Sequence, residues 1–230
     1  MSRILPLLLS LILVTLNAAA EVKRYHLELE ATPAAVFPYL GRFGAVEIHA
    51  YSSGVRAEAL WLDSFSKNGS AAVTVVNPLA RMYVDVPVAE IAPILQKLAG
   101  SAGALERGLT PERGPAARGK VSGINATRHR LVYGPAGWID YWTTDAIPEN
   151  AQLRRISEEL VRGISPGTAT VAHKIRGTPV HVELNFRRFP KTTLLKVKQL
   201  SFAVKAEDEQ DALTLGRVYM RAPFLEKLLD

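Results

Sequence analysis

The stretch VRAEALWLDSFSKNGSAAVTVV, residues 55–76, decides the fold class. Residues 55–66 are predicted as one strand, with Val55, Trp61 and Phe65 on the same apolar face. Asn68-Gly69 follows, and then a second apolar strand over residues 71–76. Asn-Gly between two apolar strands is a strong hairpin signal because both residues tolerate positive φ. The stretch therefore predicts an antiparallel sheet built from hairpins.

Alternation with a period of two continues on both sides of this hairpin and predicts further strands at 25–30, 46–51, 81–88, 124–133, 138–144, 169–176, 179–188 and 192–205. Two segments, 89–105 and 150–162, change to helical spacing and are predicted as amphipathic helices. Residues 33–43 are predicted as a turn or one short helix. Residues 106–119 are rich in Gly, Pro and Arg and are predicted to form a mobile loop.

The predicted fold class is mainly β (α+β). Nine or ten antiparallel strands joined mostly by turns are expected to curl into a strongly curved half-barrel sheet. Both helices have an apolar stripe to bury, and the concave face of the sheet offers the simplest place for it. Because no repeat, linker or composition shift divides the chain, residues 21–230 are predicted to form one domain.

Residues 1–20 have the three-part pattern of a secretory signal peptide. Arg3 gives a basic start, an apolar run extends to Leu16, and small residues place cleavage after Ala20. The apolar run is shorter than the roughly 20 residues that span a bilayer, although a retained anchor is the alternative. The expected localisation is periplasmic. The chain has no cysteine, so it has neither a disulfide nor an acceptor for a lipid anchor.

The chain is basic, with a formal net charge of +6 at pH 7. In an exported protein, this charge favours contact with an anionic membrane surface or an acidic envelope protein over contact with nucleic acid. A solvated surface explains the same charge. The pairs that would form a basic face, if they share one side of the fold, are Arg128, Arg130, Arg154, Arg155, Arg187 and Arg188.

No catalytic constellation is visible in the sequence. It lacks Cys, a Gly-x-Ser-x-Gly elbow, and the His-x-x-x-His and His-Glu-x-x-His metal motifs. His173 and His181 could meet across neighbouring strands and hold a metal, but an exposed strand face explains His181 better. We therefore expect no enzyme activity, no metal and no cofactor. In the run 138–142, Asp140 lies between two tryptophans on one face, which fits either an apolar pocket wall or the core.

Three segments, 119–124, 142–148 and 177–180, occur in an order that resembles a domain-of-unknown-function family of exported bacterial proteins. That family is similar in fold to the periplasmic lipoprotein carrier and lipoprotein-localisation proteins (LolA-like). The resemblance covers most of residues 22–205. Its members often carry a Cys in the strand after Gly123, where this chain has Ala126 and Thr127. The resemblance implies an open half-barrel sheet with helices as a lid and a hollow for acyl chains.

The expected function is a non-catalytic periplasmic binding or carrier protein for an apolar ligand such as an acyl chain or lipid. The alternative is an envelope scaffold or adaptor that binds another protein through its sheet edge or basic face, without a ligand. Strand parity predicts the residues that line the hollow. They are Trp61, Phe65, Met82, Val84, Val86, Trp138, Trp142, Val182, Leu184 and Phe186. A bulge in the sheet would exchange these faces.

Overall fold

A computed structural model describes residues 24–31, 44–59, 62–99, 109–113, 116–164, 166–187, 191–205 and 209–222. These residues form one large, mostly antiparallel sheet of thirteen strands with about four helices. The predicted mainly β (α+β) class is confirmed, but the strongly curved half-barrel is wrong, because the sheet is not strongly curled. The predicted signal peptide and the predicted turn or helix at 33–43 lie outside the described residues.

The strands are β1 (Tyr25–Ala31), β2 (Gly44–Ala50), β3 (Gly54–Ala59), β4 (Leu62–Lys67), β5 (Ala72–Asn77), β6 (Met82–Pro87), β7 (Leu109–Pro111), β8 (Ala117–Val121), β9 (Ile124–Tyr133), β10 (Gly137–Thr144), β11 (Thr178–Phe186), β12 (Thr192–Ser201) and β13 (Met220–Arg221). The helices are α1 (Ile91–Ala99), α2 (Ala151–Ile164), α3 (Pro166–Ala172) and α4 (Glu209–Ala212). None of these helices combines the length and the apolar character that a membrane crossing needs.

The strand order across the sheet is β13-β6-β5-β4-β3-β2-β1-β12-β11-β10-β9-β7, and β8 also pairs with β9. The first and last long strands, β1 and β12, are antiparallel neighbours in the middle of the sheet. Strands β1 to β6 extend from there in one direction as successive hairpins, and β9 to β12 extend in the other. Both edges end in short strands, which limits pairing with other chains.

The predicted single strand over residues 55–66 is wrong, because the chain reverses within it. Strands β3 and β4 pair antiparallel, with Ala59 opposite Leu62. Val55 pairs with Ser66, and Phe65 pairs with Arg56, so Val55 and Phe65 point to opposite faces. The following hairpin at Asn68-Gly69 is confirmed between β4 and β5. Of its two turn residues, only Gly69 has positive φ, at +75°.

Two further segments differ from the prediction. The predicted strand 169–176 falls in α3 and the turn after it. Pro166 opens this helix, where its fixed φ suits the first helical position. Val171 of α3 and Ile175 of the turn after it pack against the sheet, so tertiary packing overrides the β propensity of the threonines. The predicted loop 106–119 contains β7 and the start of β8.

The sheet has two chemically different faces, because side chains alternate along each strand. The helix face carries Tyr25, Leu27 and Leu29 of β1, which are 1%, 2% and 5% exposed. These residues join Val180 and Val197 in the largest described core cluster. Leu153 of α2 also packs against that cluster. The outer face carries His26, Glu28 and Glu30 from the same strand, and it is mainly polar.

Helices α1 and α2 pack closely on the helix face. A Cβ atom at Gly163 of α2 would lie 2.7 Å from the Leu95 Cβ and 3.1 Å from the Ala92 Cα of α1. Gln152, which is buried, donates from Nε2 to the Ser66 hydroxyl at 2.8 Å. Asn150 caps α2, since its Oδ1 accepts the Leu153 N–H at 2.9 Å. These contacts fix α2 over β3 and β4.

Candidate functional site

Six of the ten predicted lining residues lie on the helix face, and all six are half-buried. Three belong to β6, where Val84 pairs with Val75 of β5 and Val75 in turn faces Ser64 of β4. The other three belong to β11 and pack against Leu131 and Ile139. These six residues are Met82, Val84, Val86, Val182, Leu184 and Phe186.

The six residues do not surround a single compact pocket. Strand β6 lies seven strand positions from β11 in the sheet order. At a spacing of about 4.8 Å per strand, the two groups are roughly 34 Å apart along the sheet. The buried core under α2 lies between them. They therefore form separate apolar patches at the two ends of the helix face.

Trp138 and Trp142 lie on the outer face instead, since they pair with Asn185 and His181 of β11. Asp140 lies between them, as predicted, but it is part of a closed polar cluster. Arg130 donates from Nε to Asp140 Oδ1 at 2.7 Å and from Nη2 to Oδ2 at 2.9 Å. The Trp138 indole N–H donates to Asp140 Oδ2 at 3.1 Å.

Arg130 makes further stabilising interactions within this polar cluster. The Arg130 guanidinium also lies over the Trp138 ring, 4.7 Å from its centroid. The hydrogen bond that Arg130 donates to Asp140 raises the pKa of Arg130. The Asp140 carboxylate is thus satisfied by the protein itself, so it does not point into an apolar pocket. Trp61, the remaining predicted tryptophan, lies outside the described residues.

Phe65, the tenth predicted residue, borders a hollow on the outer face. The hollow has a volume of about 570 Å³, within the range of small-molecule sites. It lies between the β4–β6 hairpins and the segment that follows α4. Its walls combine apolar and polar side chains with the backbone of the hairpin turn. They are Phe65, Ser66, Lys67, Asn68, Gly69, Ser70, Ala72, Thr74, Tyr83, Asp85, Leu213, Thr214 and Leu215.

The apolar floor of the hollow is formed by Phe65 and Leu213, which pack in one cluster with Tyr51 and Val76. Leu213 is 2% exposed and Phe65 is 9% exposed. The rim is charged, with Lys67 and Asp85 among the lining residues. Asp85 accepts a hydrogen bond from the Thr74 hydroxyl at 2.7 Å. The arrangement places a cation and an anion above an apolar floor.

Glu209 anchors the segment that closes this hollow. Its carboxylate accepts hydrogen bonds from Arg24 Nε at 3.0 Å, from the Ser52 hydroxyl at 2.7 Å, and from the Ser53 backbone N–H. Burial alone raises the pKa of Glu209, but these hydrogen bonds outweigh burial and lower the pKa to about 2. Arg56 adds a bond from Nη1 to the Ala212 carbonyl at 3.1 Å. Sequence patterns gave no sign of this anchor, because its donors lie more than 150 residues away.

The sequence prediction missed a second group of candidate site residues on the outer face. His26 of β1 lies directly opposite His49 of β2, and Glu47 is the next outer-face residue of β2. Only the strand register brings these three residues together. The less favoured alternative from the sequence, a meeting of His173 and His181 across neighbouring strands, does not occur, because His173 is not on a strand. His173 follows α3, with its Nδ1 3.2 Å from the Ala169 carbonyl, whereas His181 lies on the outer face.

The basic pairs do not share one face in the described residues. Arg128 and Arg130 lie on the outer face of β9, both within 4 Å of Asp140. Arg154 lies on α2, where it binds Glu149 at 2.7 Å and Glu158 at 2.9 Å. Arg188 lies outside the described residues. Much of the positive charge is therefore neutralised locally on two sides of the fold.

No protein-family model matches the chain, and no curated protein matches it significantly. Among solved structures, an uncharacterized conserved protein from Thermus thermophilus is similar to it. The two share 8% sequence identity over 93% of this chain and 99% of the other, with a TM-score of 0.45. The resemblance to lipoprotein carriers, which rests on the sequence motifs, stays a prediction.

Proposed function

We propose that this protein is a non-catalytic binding or carrier protein for an amphiphilic lipid, such as a fatty acid, exported to the periplasm by residues 1–20. The observation that carries the proposal is the hollow of about 570 Å³ on the outer face. Its volume is in the range of sites that bind one small ligand. The position differs from the lid-covered hollow implied by the family resemblance, since α1, α2 and α3 lie on the other face.

The lining of the hollow supports an amphiphile over a purely polar ligand. Phe65 and Leu213 form the floor, and Tyr83 and Leu215 pack beside them. An acyl chain on this floor removes apolar surface from water, at about 25 cal/mol per Å². Lys67, which is exposed at the rim, is placed to attract a carboxylate or phosphate headgroup. The neighbouring Asp85 disfavours an anion on its own side, which orients the headgroup toward Lys67.

Displacement of a fluorescent fatty acid tests the proposal, together with native mass spectrometry of protein purified from a bacterial envelope. We expect bound lipid in the spectra and weaker binding in Lys67→Glu, by about tenfold, because a favourable charge becomes a repulsive one. Thr214→Trp places an indole at an exposed position in the lining and should obstruct the hollow. Lys120→Glu is the matched control, since Lys120 is exposed on β8 near the far edge.

Two outcomes would overturn the proposal. One is protein that carries no lipid and displaces no fatty-acid probe. The other is equal loss of binding in Lys67→Glu and Lys120→Glu, which would reflect net charge only. Crosslinking that captures one stoichiometric protein partner, with no lipid bound, would favour the scaffold alternative. The short strands at both sheet edges argue against a partner that adds a strand there.

A further inference from the structure

The outer face of β1 and β2 holds a cluster of His26, Glu47 and His49, which we call the His-Glu cluster. The antiparallel register places His26 directly opposite His49. The two imidazole rings are stacked, with centroids 4.5 Å apart and planes inclined by 22°. Glu47 precedes His49 by two residues, so its carboxylate emerges from the same face of the sheet. Three metal-binding side chains therefore converge from two neighbouring strands.

The distances in the His-Glu cluster are close to those of a metal site. Glu47 Oε2 lies 3.4 Å from His26 Nε2 and 3.8 Å from His49 Nε2. All three side chains offer a ligand atom within 4.8 Å of the others. In a tetrahedral zinc site with bonds of about 2.0–2.1 Å, neighbouring ligand atoms are about 3.4 Å apart. One separation already matches this value, and small side-chain rotations would adjust the other two.

His26 presents an unsatisfied nitrogen to this cluster. Its Nε2 atom is buried and has no hydrogen-bond partner. An unpaired buried polar atom costs free energy, and native structures rarely leave one without a reason. A metal ion would satisfy this nitrogen, since neutral imidazole is a metal ligand through either ring nitrogen.

The electrostatic surroundings also favour a cation. Glu28, Glu47, Glu58 and Asp63 lie side by side across β1 to β4 on the outer face. Like charges opposite one another on a sheet are destabilising. Arg56 compensates one end of this row, at 2.6 Å from Glu58 and 2.8 Å from Asp63. In the other half of the row, the described ion pairs of Glu47 are with His26 and His49, which are positive only when protonated.

We propose that His26, Glu47 and His49 bind a first-row divalent transition metal ion, with Zn²⁺ as the best fit. Two imidazole nitrogens and one carboxylate oxygen suit zinc, whereas Mg²⁺ and Ca²⁺ prefer oxygen ligands alone. Three protein ligands leave a further position open to water or to another ligand. The proposal is independent of lipid binding, because none of the three residues lines the hollow.

Zinc titration of the full chain, produced without a polyhistidine tag, tests the site by calorimetry. Co²⁺ absorption in the visible range then reports the coordination geometry. We expect one Zn²⁺ per chain, and at least about tenfold weaker binding in His49→Gln and in Glu47→Gln, since each removes one of three ligands. His181→Gln is the matched control. His181 is also an outer-face histidine with a buried, unpartnered Nε2, 3.9 Å from Glu183, but no second histidine joins it among the described residues.

Several outcomes would overturn the metal site. They are a wild-type chain that takes up no zinc, a stoichiometry unchanged in His49→Gln and Glu47→Gln, and equal weakening in His181→Gln. Circular dichroism of each variant shows whether it is folded like the wild type. The Glu47 side chain is 50% exposed, so Glu47→Gln is expected to fold and to carry the test if the histidine variant does not. Intact lipid binding in a zinc-deficient variant would separate this site from the proposed carrier function.

Discussion

Replacement of Glu209 by Gln should destabilise the protein in a way that depends on pH. The hydrogen bonds from Arg24, Ser52 and Ser53 lower the pKa of this carboxyl from 4.5 to about 2 in the folded state. A pKa difference of one between the folded and unfolded states corresponds to about 1.4 kcal/mol, so ionised Glu209 contributes about 3 kcal/mol to the free energy of unfolding. Its side chain is only 10% exposed, so solvent screens this contribution little.

The sign of the pH dependence follows from the lowered pKa. Ionised Glu209 stabilises the folded state fully above the unfolded-state pKa of 4.5. The contribution is lost as the pH falls from about 4.5 toward 2, because the unfolded chain takes up a proton first. The difference in unfolding free energy between wild type and Glu209→Gln should therefore be about 3 kcal/mol at neutral pH. It should fall to about 1.4 kcal/mol at pH ~3.

Urea denaturation over this pH range measures the difference directly. Glu158→Gln is a suitable control, since it removes an exposed i,i+4 pair with Arg154 that is worth less than about 0.5 kcal/mol. The reasoning would be refuted if the difference in unfolding free energy between wild type and Glu209→Gln stayed the same from neutral to acidic pH. It would also be refuted if Glu209→Gln lowered the unfolding free energy no more than Glu158→Gln does. Either result would mean that the carboxylate is not held by the hydrogen bonds described.

Two other substitutions test the packing of the fold by urea denaturation. Gly163→Ala should cost about 1–3 kcal/mol, because the new methyl group meets the Leu95 Cβ and the Ala92 backbone of the facing helix. An unchanged or increased stability would show that α1 can move away. Asp140→Ala should cost about 3–5 kcal/mol, since it leaves Arg130 without its bidentate partner in a partly buried setting. A cost below about 1 kcal/mol would place this pair among ordinary surface ion pairs.

Local chemistry explains which parts of the fold could be predicted from the sequence. The hairpin at Asn68-Gly69 depends on two adjacent residues, and helix α2 depends on a period visible within its own length. The connection between β3 and β4 has no Gly, Pro or Asn, so the apolar alternation of the sequence runs through it without a break. One missed reversal then placed Phe65 on the wrong face.

The candidate sites were harder to predict because they depend on strand register and on contacts between residues far apart in the sequence. His26 and His49 are 23 positions apart and match no spacing motif, so only the pairing of β1 with β2 makes them neighbours. Glu209 reaches Ser52 across 157 residues. Sheet curvature is also absent from an alternating pattern, since the same alternation suits a curled sheet and an open one. The number of strands therefore does not predict a half-barrel.

The two proposed sites lie on one row of the outer face but remain separable. His26, His49, Arg56 and Phe65 pair across β1, β2, β3 and β4 in that order. At about 4.8 Å per strand, roughly 14 Å separate His26 at the His-Glu cluster from Phe65 at the hollow. Arg56 lies between them and forms ion pairs with Glu58 and Asp63. Because the His-Glu cluster and the hollow share no residue, Lys67→Glu should weaken lipid binding without affecting zinc, and His49→Gln should do the reverse. Parallel losses in both variants would point to a common structural defect on this face, and neither site would then be supported.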